Sequence, residues 1–449
     1  MPILIVADDL TGAADCAAPF RQAGLSAAVL TTSHACHIAA DRFQVISFSL
    51  HTREASRAGV RRIWARNASA IGVLAQNALV YQKIDSTLRG HPALEVRLLR
   101  DLLGAPAAMI APAFPKQGRQ TIDGEHRVQG VPLADTEYAH AWGRRQASSR
   151  LPEMFAYARE PLPSHLSWGV IERGVEVVVT WLQEHLAAAC RLITADAAHE
   201  RHLDTLTQAV LSLGSRLLLV GSAGWAERLA LSPFSQTLAC SLPLSAPPAP
   251  PLPPGEGRGE GGSGPSTHPR PGVLGVVGSL SSIATRQVQA AVAEGVAVVP
   301  FSMSLYRSVQ HPTSTSVAWP SLAQEISGGR YGILWTTPPD GNPTSRKEGQ
   351  RLLRGLGSLV RAILSATPVS GLVIVGGDTA QAVLRALRAS GLTLDGQVAA
   401  GIPYGRLLDG PFAGVPVVTK AGGFGEVTTL WHCLTFLRYR VSREGNPQG

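Results

Sequence analysis

Lysine is nearly absent from this chain. Only four of its 40 basic residues are lysines: Lys83, Lys116, Lys347 and Lys420. An ammonium is a compact point charge that meets phosphate or carboxylate differently from a guanidinium. Three of the four stand in Gly-, Ser- or Pro-rich turns after strand-like segments, which marks them for chemistry rather than surface charge. Long apolar runs are missing too. No stretch approaches the roughly 20 residues of a membrane span. The apolar opening Pro2–Ala7 is too short for a secretory signal and runs into two acids. A cytoplasmic protein with no membrane partner is expected. The five cysteines are scattered without a CxxC pair, which argues against structural zinc or a disulfide framework and suits a reducing compartment. Aromatic-studded basic blocks are absent, so the net charge of +8 does not read as nucleic-acid binding. A diffuse positive charge fits small anionic ligands equally well. There is no Walker A sequence and no kinase HRD signature. The GxGxxG string at Gly257, Gly259 and Gly262 has no strand before it. H-x-x-H occurs at His34/His37 and His199/His202 without a third ligand nearby, so solvated histidines are expected and metal ligands stay unassigned.

What is present is alternation. At 449 residues the chain is too long for one ordinary domain. Residues 1–243 alternate strand-like and helix-like segments, with Pro112–Glu137 as a loop-rich passage of little periodicity. Residues 244–271 are Pro-rich, then Gly/Ser-rich, and carry too few apolar side chains to order themselves. Alternation resumes over 272–449. The expected fold is α/β: two domains, each a mostly parallel sheet flanked by helices, joined by a Pro/Gly-rich linker.

The chain is organised around Pro2–Asp15, PILIVADDLTGAAD. An apolar strand stops at Asp8 and Asp9, then a Thr11-Gly12 turn leads into helical periodicity. Paired carboxylates after such a run read as the carboxyl end of a parallel strand, where open α/β sheets bind ligands. The plainer alternative is a helix cap, which needs only one acid. Thr52-Arg53 follows a second strand, and Lys83-Ile84-Asp85-Ser86 with Arg89 follows a third. Three ends of one sheet would converge. Arg53 can clamp a carboxylate in bidentate fashion, and Asp9 can take a proton from a hydroxyl as a general base. The alternative is that these charges simply pair with one another. The loop Pro112–Arg119 would run along the same edge and add two cations, while His126 reads as solvated or loop-structuring.

Three turns share one grammar of apolar strand, small residues and helix: Leu217–Gly224, Leu274–Ser281 and Val373–Ala380. Such turns let a phosphate approach backbone N–H groups at a helix N-terminus. Two lie in the C-terminal domain, which also holds Lys420-Ala421-Gly422-Gly423-Phe424-Gly425. A nucleotide-phosphate site is expected there.

Together these segments resemble the four-carbon acid sugar kinases. The likeness runs in order through ADDLTGA (Ala7–Ala13), TR (Thr52–Arg53), KIDSTLRG (Lys83–Gly90), PAFPKQGR (Pro112–Arg119), GVPLADTE (Gly130–Glu137), GSAG (Gly221–Gly224), VVGSLS (Val276–Ser281), GGDTA (Gly376–Ala380) and KAGGFG (Lys420–Gly425). The resemblance implies a sugar-acid-binding N-terminal domain and an ATP-binding C-terminal domain. Asp9, Arg53, Lys83, Ile84, Asp85 and Ser86 would contact the acid. Ser279, Gly376, Gly377, Asp378, Thr379 and Gly422 would contact ATP, carried as its magnesium complex. The implied reaction phosphorylates the terminal hydroxyl of threonate, erythronate or 3-oxo-tetronate, with Asp9 orienting or deprotonating it. With the two sites on different domains, closure would be needed to exclude water. A non-catalytic sugar-acid sensor and a kinase of a different hydroxy acid are the alternatives, and a homo-oligomer is compatible with the sequence. Two positions depart from the family pattern: Ala14 stands where GAND has asparagine, and Glu426 is the only acid just after KAGGFG.

Overall fold

Apolar strands alternate with helices along both halves of the chain, and each half builds its own sheet. The computed structural model describes residues 2–139, 148–157, 160–214, 217–240, 270–302, 319–336 and 346–444. The chain divides into two units, Met1–Leu244 and Ser245–Gly449. The linker expected at 244–271 lies, up to residue 269, outside the described residues.

The strands of the first unit are β1 (Ile3–Ala7), β2 (Ala27–Leu30), β3 (Val45–Ser49), β4 (Leu79–Lys83), β5 (Ala108–Ala111), β6 (Arg119–Ile122), β7 (Glu125–Val128), β8 (Val131–Pro132), β9 (Ser164–Leu166), β10 (Leu192–Ala195) and β11 (Leu218–Gly221). The main sheet has the order β2-β3-β1-β4-β11-β5-β10-β9, with every pairing parallel. Helices cover both faces, so strands such as ILIVA, AAVL and AMIA are apolar at every position and buried throughout. The chain leaves β1 toward β2 on one side and leaves β4 toward β5 on the other. The neighbours β1 and β4 therefore flank a topological switch point, with a crevice at their carboxyl ends. The helix Leu10–Gln22 (LTGAADCAAPFRQ) packs on β1–β3 and on the helix Ala223–Ala230. Its alanines and glycine permit that close approach.

The passage Pro112–Glu137, expected to be loop-rich, instead contains a small antiparallel sheet, β6-β7-β8. Its signal was local turn chemistry: Asp123-Gly124 and Gln129-Gly130 both have positive φ at each residue, the requirement of a two-residue hairpin turn.

The second unit contains β12 (Val273–Val277), β13 (Ala297–Phe301), β14 (Tyr331–Thr336), β15 (Gly371–Val375), β16 (Gly391–Ala399), β17 (Ile402–Leu407) and β18 (Pro416–Lys420). The order is β13-β14-β12-β15-β18-β17-β16, parallel up to β18 and antiparallel through β17 to β16. Val273, Val277, Ile333, Val373 and Val418 pack against Leu430, Leu434 and Leu437 of the helix Thr429–Glu444. Each such fully buried aliphatic side chain contributes on the order of 1.5–3 kcal/mol. The hairpin β16–β17 was invisible to periodicity, because bulges at Leu394/Gly396 and Gln397/Ala399 break the alternation. Here too the chain leaves β12 and β15 in opposite directions, which opens a second switch point.

Candidate functional site

In the first unit, β1 lies between β3 and β4, with Ala7 opposite both Ser49 and Lys83. This register brings Asp8/Asp9, Thr52/Arg53 and Lys83–Ser86 to one edge, as the sequence led one to expect. The paired acids do stand at the carboxyl end of a parallel strand, and one of them also caps the following helix. Asp9 is the N-cap of the helix Leu10–Gln22: its Oδ1 accepts from Gly12 N at 2.9 Å and its Oδ2 from Thr11 Oγ1 at 2.7 Å. Asp9 Oδ2 also accepts from an Arg53 terminal nitrogen at 2.8 Å.

The bidentate fork of Arg53, expected on a substrate carboxylate, is made to Asp8 instead. Nε donates to Asp8 Oδ2 at 2.8 Å and a terminal nitrogen donates to Asp8 Oδ1 at 2.7 Å. This leaves N–H donors on both terminal nitrogens for a ligand. Lys83 is buried at the strand end. Its ammonium donates to Ile84 O at 3.0 Å, and its other N–H bonds have no partner among the described residues. Ile84 contributes backbone only; its N–H donates to Gly221 O. Asp85 accepts from Arg89 Nε at 2.7 Å and from Thr87, and lies 3.8 Å from Arg53. Ser86 is half-buried with its hydroxyl unpartnered among the described residues. The three strand ends meet over Gly12. A Cβ there would stand 2.5 Å from Asp9 Oδ1, 2.9 Å from Lys83 Nζ and 3.6 Å from Arg53. Glycine lets Asp9 and Lys83 close in on the start of the helix.

Burial tends to raise these carboxyls, and their partners separate them. Burial raises Asp8, aided by the Asp9 charge and only partly countered by Arg53. For Asp9 burial is outweighed by Arg53, Lys83, Thr11 and the Gly12 N–H, which lower it. For Asp85 burial is outweighed by Arg89 and Arg53, which hold it well below the carboxylate range. Asp9 is thus a saturated, weakly basic carboxylate. The geometry favours the orienting role expected of it over the proton-accepting one.

Two residues behind this layer were missed or underread. Glu95 Oε2 accepts from Thr52 Oγ1 at 2.7 Å and Trp64 Nε1 at 3.2 Å. Burial, then the Asp8 charge, pushes it up to about 8, so it anchors the Thr52-Arg53 turn as a neutral acid at pH 7. His126, on β7, is fully buried. Its Nε2 donates to Ser86 O at 2.8 Å, and its Nδ1 accepts from Thr121 Oγ1 at 3.0 Å. The loop-structuring reading of His126 holds and the solvated one does not. Burial lowers it to about 4. Unfolded chains therefore bind its proton between the ordinary value of about 6.5 and pH 4 while the folded one does not. Stability should fall as pH drops through that window, and His126→Gln should flatten the fall in urea midpoints measured from pH 7 to 4. The variant should also raise KM for the acid and leave KM for ATP unmoved.

The expected extra cations on Pro112–Arg119 are already engaged: Lys116 pairs with Glu227 at 2.5 Å and Arg119 donates to Gln117 O. The turn Leu217–Gly224 is also internally closed. Ser222 Oγ accepts from Gly224 N at 3.1 Å and donates to Ala113 O at 2.9 Å. Its glycines serve close packing on Ala111 and Phe114. His202 is buried, accepting from Ala198 N and bonded to Glu172, so it is structural rather than solvated.

In the second unit the ends of neighbouring β12, β15 and β18 carry Ser279, Gly376–Thr379 and Lys420–Gly425. The helix Gly377–Leu387 has no side-chain cap at Gly376, which adopts φ +111. Its first N–H groups lack intrahelical partners, the feature that suits a helix start to anions. Asp378 is exposed and Thr379 buried. Gly422 rests directly on Ser279, where a Cβ would overlap Ser279 Oγ. The loop after β18 has its carbonyls turned inward. Lys420 Nζ donates to Ala421 O at 2.9 Å and Phe424 O at 2.8 Å; Ser281 Oγ donates to Gly422 O at 2.8 Å. Gln287 Nε2 donates to Phe424 O at 3.0 Å and Glu426 O at 2.8 Å. With those carbonyls bound from behind, the N–H groups of Gly422 and Gly423, across the same planar peptides, point away from the donors. Sequence reasoning missed Gln287. Its signal was a polar residue on the buried face of the helix Ser282–Ala293.

These two crevices define a class: a two-unit α/β protein with a polar, cation-bearing crevice on one sheet and a glycine-rich crevice on the other. Comparison with known proteins agrees. Residues 3–229 match the family described as sugar-binding N-terminal domain, and residues 274–430 the nucleotide-binding C-terminal domain. A D-threonate kinase of Salmonella typhimurium is 30% identical over 97% of this chain and 98% of its own length. A D-erythronate kinase of Heliobacterium modesticaldum is 26% identical over 99% of each chain. A crystal structure of a Salmonella typhimurium LT2 protein superposes with a TM-score of 0.75 at 20% identity, over 96% of this chain and 98% of that one; this likeness concerns the fold. The chain belongs to the four-carbon acid sugar kinase family. Among the described residues no helix is long and apolar enough to cross a membrane.

Proposed function

We propose that this protein transfers the γ-phosphoryl group of ATP to the terminal (4-) hydroxyl of a four-carbon sugar acid, with D-threonate the first substrate to try. The carrying observation is the convergence of the Lys83 ammonium, the remaining Arg53 donors and Asp9 around Gly12 at three neighbouring strand ends. Lys83 and Arg53 bind the acid's carboxylate and adjoining hydroxyls, and the Ser86 hydroxyl adds a contact. Asp85 keeps Arg89 and Arg53 in place. Asp9 orients the ligand by fixing Arg53 and the helix start. The ATP phosphates lie on the uncapped Gly376–Thr379 turn and the Gly422 loop, beside Ser279. Phosphoryl transfer is mainly positioning and charge stabilisation, which rigid turns and buried cations supply.

Among the described residues no group of three or more His, Cys, Asp or Glu side chains forms a metal cage. Mg²⁺ is commonly held by substrate phosphates with one or two carboxylates, so a magnesium ion carried on ATP fits this chain, where it would offset charge on the transferring phosphoryl group. The scattered cysteines support a cytoplasmic location. The test is ADP release from ATP and Mg²⁺ against D- and L-threonate, D- and L-erythronate and 3-oxo-tetronates. Turnover with one of them is expected; silence across the panel, with ATP binding retained, points to a different acceptor.

A further inference from the structure

We propose that Asp15 is the carboxylate that receives the proton of the acceptor hydroxyl during phosphoryl transfer, a role that rests on the kinase reading above. Asp15 follows Gly12 by three residues and Thr11 by four in the helix Leu10–Gln22. Side chains at these spacings share one helix face. That face fronts the proposed acid-binding residues, because the bare side of Gly12 packs against Lys83 Nζ, Asp9 Oδ1 and Arg53. From Leu10 to Phe20 every residue is buried except Asp15, which is half-buried.

The carboxylates around the site divide sharply. Asp8 is spent on the Arg53 fork, Asp9 on Thr11, Gly12 and Arg53, and Asp85 on Arg89 and Thr87. Asp15 has no hydrogen bond or ion pair among the described residues. The charges that face it are Lys83 at the end of β4, Asp9 at the start of its own helix and Glu227 on the helix Ala223–Ala230. Glu227 is itself paired with Lys116. Burial dominates, with Asp9 and Glu227 adding to it against the pull of Lys83, and raises Asp15 to about 6. A base works best with a pKa near the operating pH and lone pairs free to accept, and Asp15 meets both conditions where Asp9 meets neither.

In the step, the acceptor O–H bond breaks and its proton passes to an Asp15 carboxylate oxygen. The freed oxygen pair forms the new bond to the γ-phosphorus. The bond from that phosphorus to the bridging oxygen breaks, its electron pair leaving with ADP. The half-exposed Asp15 then returns the proton to solvent.

The test compares wild type, Asp15→Asn and Asp15→Glu in the full chain by ADP release between pH 5 and 9, with thermal melts to check folding. Wild type should show an acidic limb near pH 6. Asp15→Asn should lower kcat about 100- to 1,000-fold, within the range of general-base catalysis. It should change KM for the acid by less than about threefold and erase the acidic limb. Asp15→Glu, which keeps the carboxylate on a longer stem, should recover part of kcat and retain a limb. The proposal is overturned if Asp15→Asn keeps kcat within about threefold, if the limb persists in it, or if added Mg²⁺ restores its rate, which would make Asp15 a metal-holding residue. A wild type silent on the whole panel while still binding ATP defeats the four-carbon acid as acceptor, a result distinct from an active wild type with an active Asp15→Asn.

Discussion

Arg53→Ala is expected to abolish acid-dependent turnover and to cost the fold about 3–5 kcal/mol, the range for breaking a buried ion pair by removing one partner. The substitution strips three hydrogen bonds from Asp8 and Asp9 and a neighbouring charge from Asp85, all of them buried. Asp8 would lose its fork, and Asp9 and Asp85 would keep only Thr11, Gly12, Thr87 and Arg89 as partners while still buried. They would respond by taking up protons, which gives the loss a signature in pH. In wild type, Asp9 and Asp85 are held low, so their stabilisation is present above the ordinary carboxylate range and disappears as pH falls through their lowered values. In the variant those values rise, so its stability deficit should be widest near neutrality and narrow toward pH 4. Urea melts at several pH values measure this directly. Arg53→Lys separates charge from shape. It should keep much of the stability and still lower kcat/KM for the acid at least 100-fold, because an ammonium cannot bridge Asp8 in a fork while reaching Asp9. If Arg53→Lys retains wild-type kcat/KM, the fork is not what positions the substrate.

Lys420→Met is expected to raise KM for ATP about 10- to 100-fold while leaving KM for the sugar acid within about twofold. Lys420 is fully buried at the end of β18, with its ammonium under the loop that carries Gly422. It holds the carbonyls of Ala421 and Phe424 inward and so keeps the neighbouring N–H groups outward. Methionine fills a similar volume but donates nothing, which leaves those carbonyls to turn toward the place where phosphates would bind. Burial lowers Lys420 to about 8, slightly opposed by Cys433. Between pH 8 and the ordinary lysine value near 10.4 the unfolded chain binds a proton that the folded one does not, so wild-type stability should rise across that window. Lys420→Met should lose this rise. An unchanged KM for ATP would show that the loop holds its shape without the lysine.

Much of the fold was legible because buried parallel strands are written as short, continuous apolar runs. ILIVA, VISFS and GLVIV announce themselves, and the charged or glycine-rich segments that follow them mark where their carboxyl ends lie. The segments with irregular backbone were not legible. The hairpin Gly391–Leu407 hides its alternation behind bulges, and β6–β8 depends on φ-positive turns at Asp123-Gly124 and Gln129-Gly130 rather than on hydrophobic period. For the site, sequence reasoning brought Asp9, Arg53, Lys83 and Asp85 to one edge. It did not separate their duties, because a motif names side chains without saying which of them are already satisfied.

The sequence by itself determined the strand–helix alternation, the ends at which polar chemistry collects and the scarcity of lysine that singled out Lys83 and Lys420. These are local properties, carried by hydrophobic pattern and turn composition. Only the tertiary structure decided that the Arg53 fork belongs to Asp8, that Asp9 is saturated while Asp15 has no hydrogen-bond partner among the described residues, and that His126, Glu95 and Gln287 support the site loops from behind. Those assignments depend on which donors meet which acceptors across residues far apart in the chain. They follow from strand order and register, which bring distant side chains together in three dimensions.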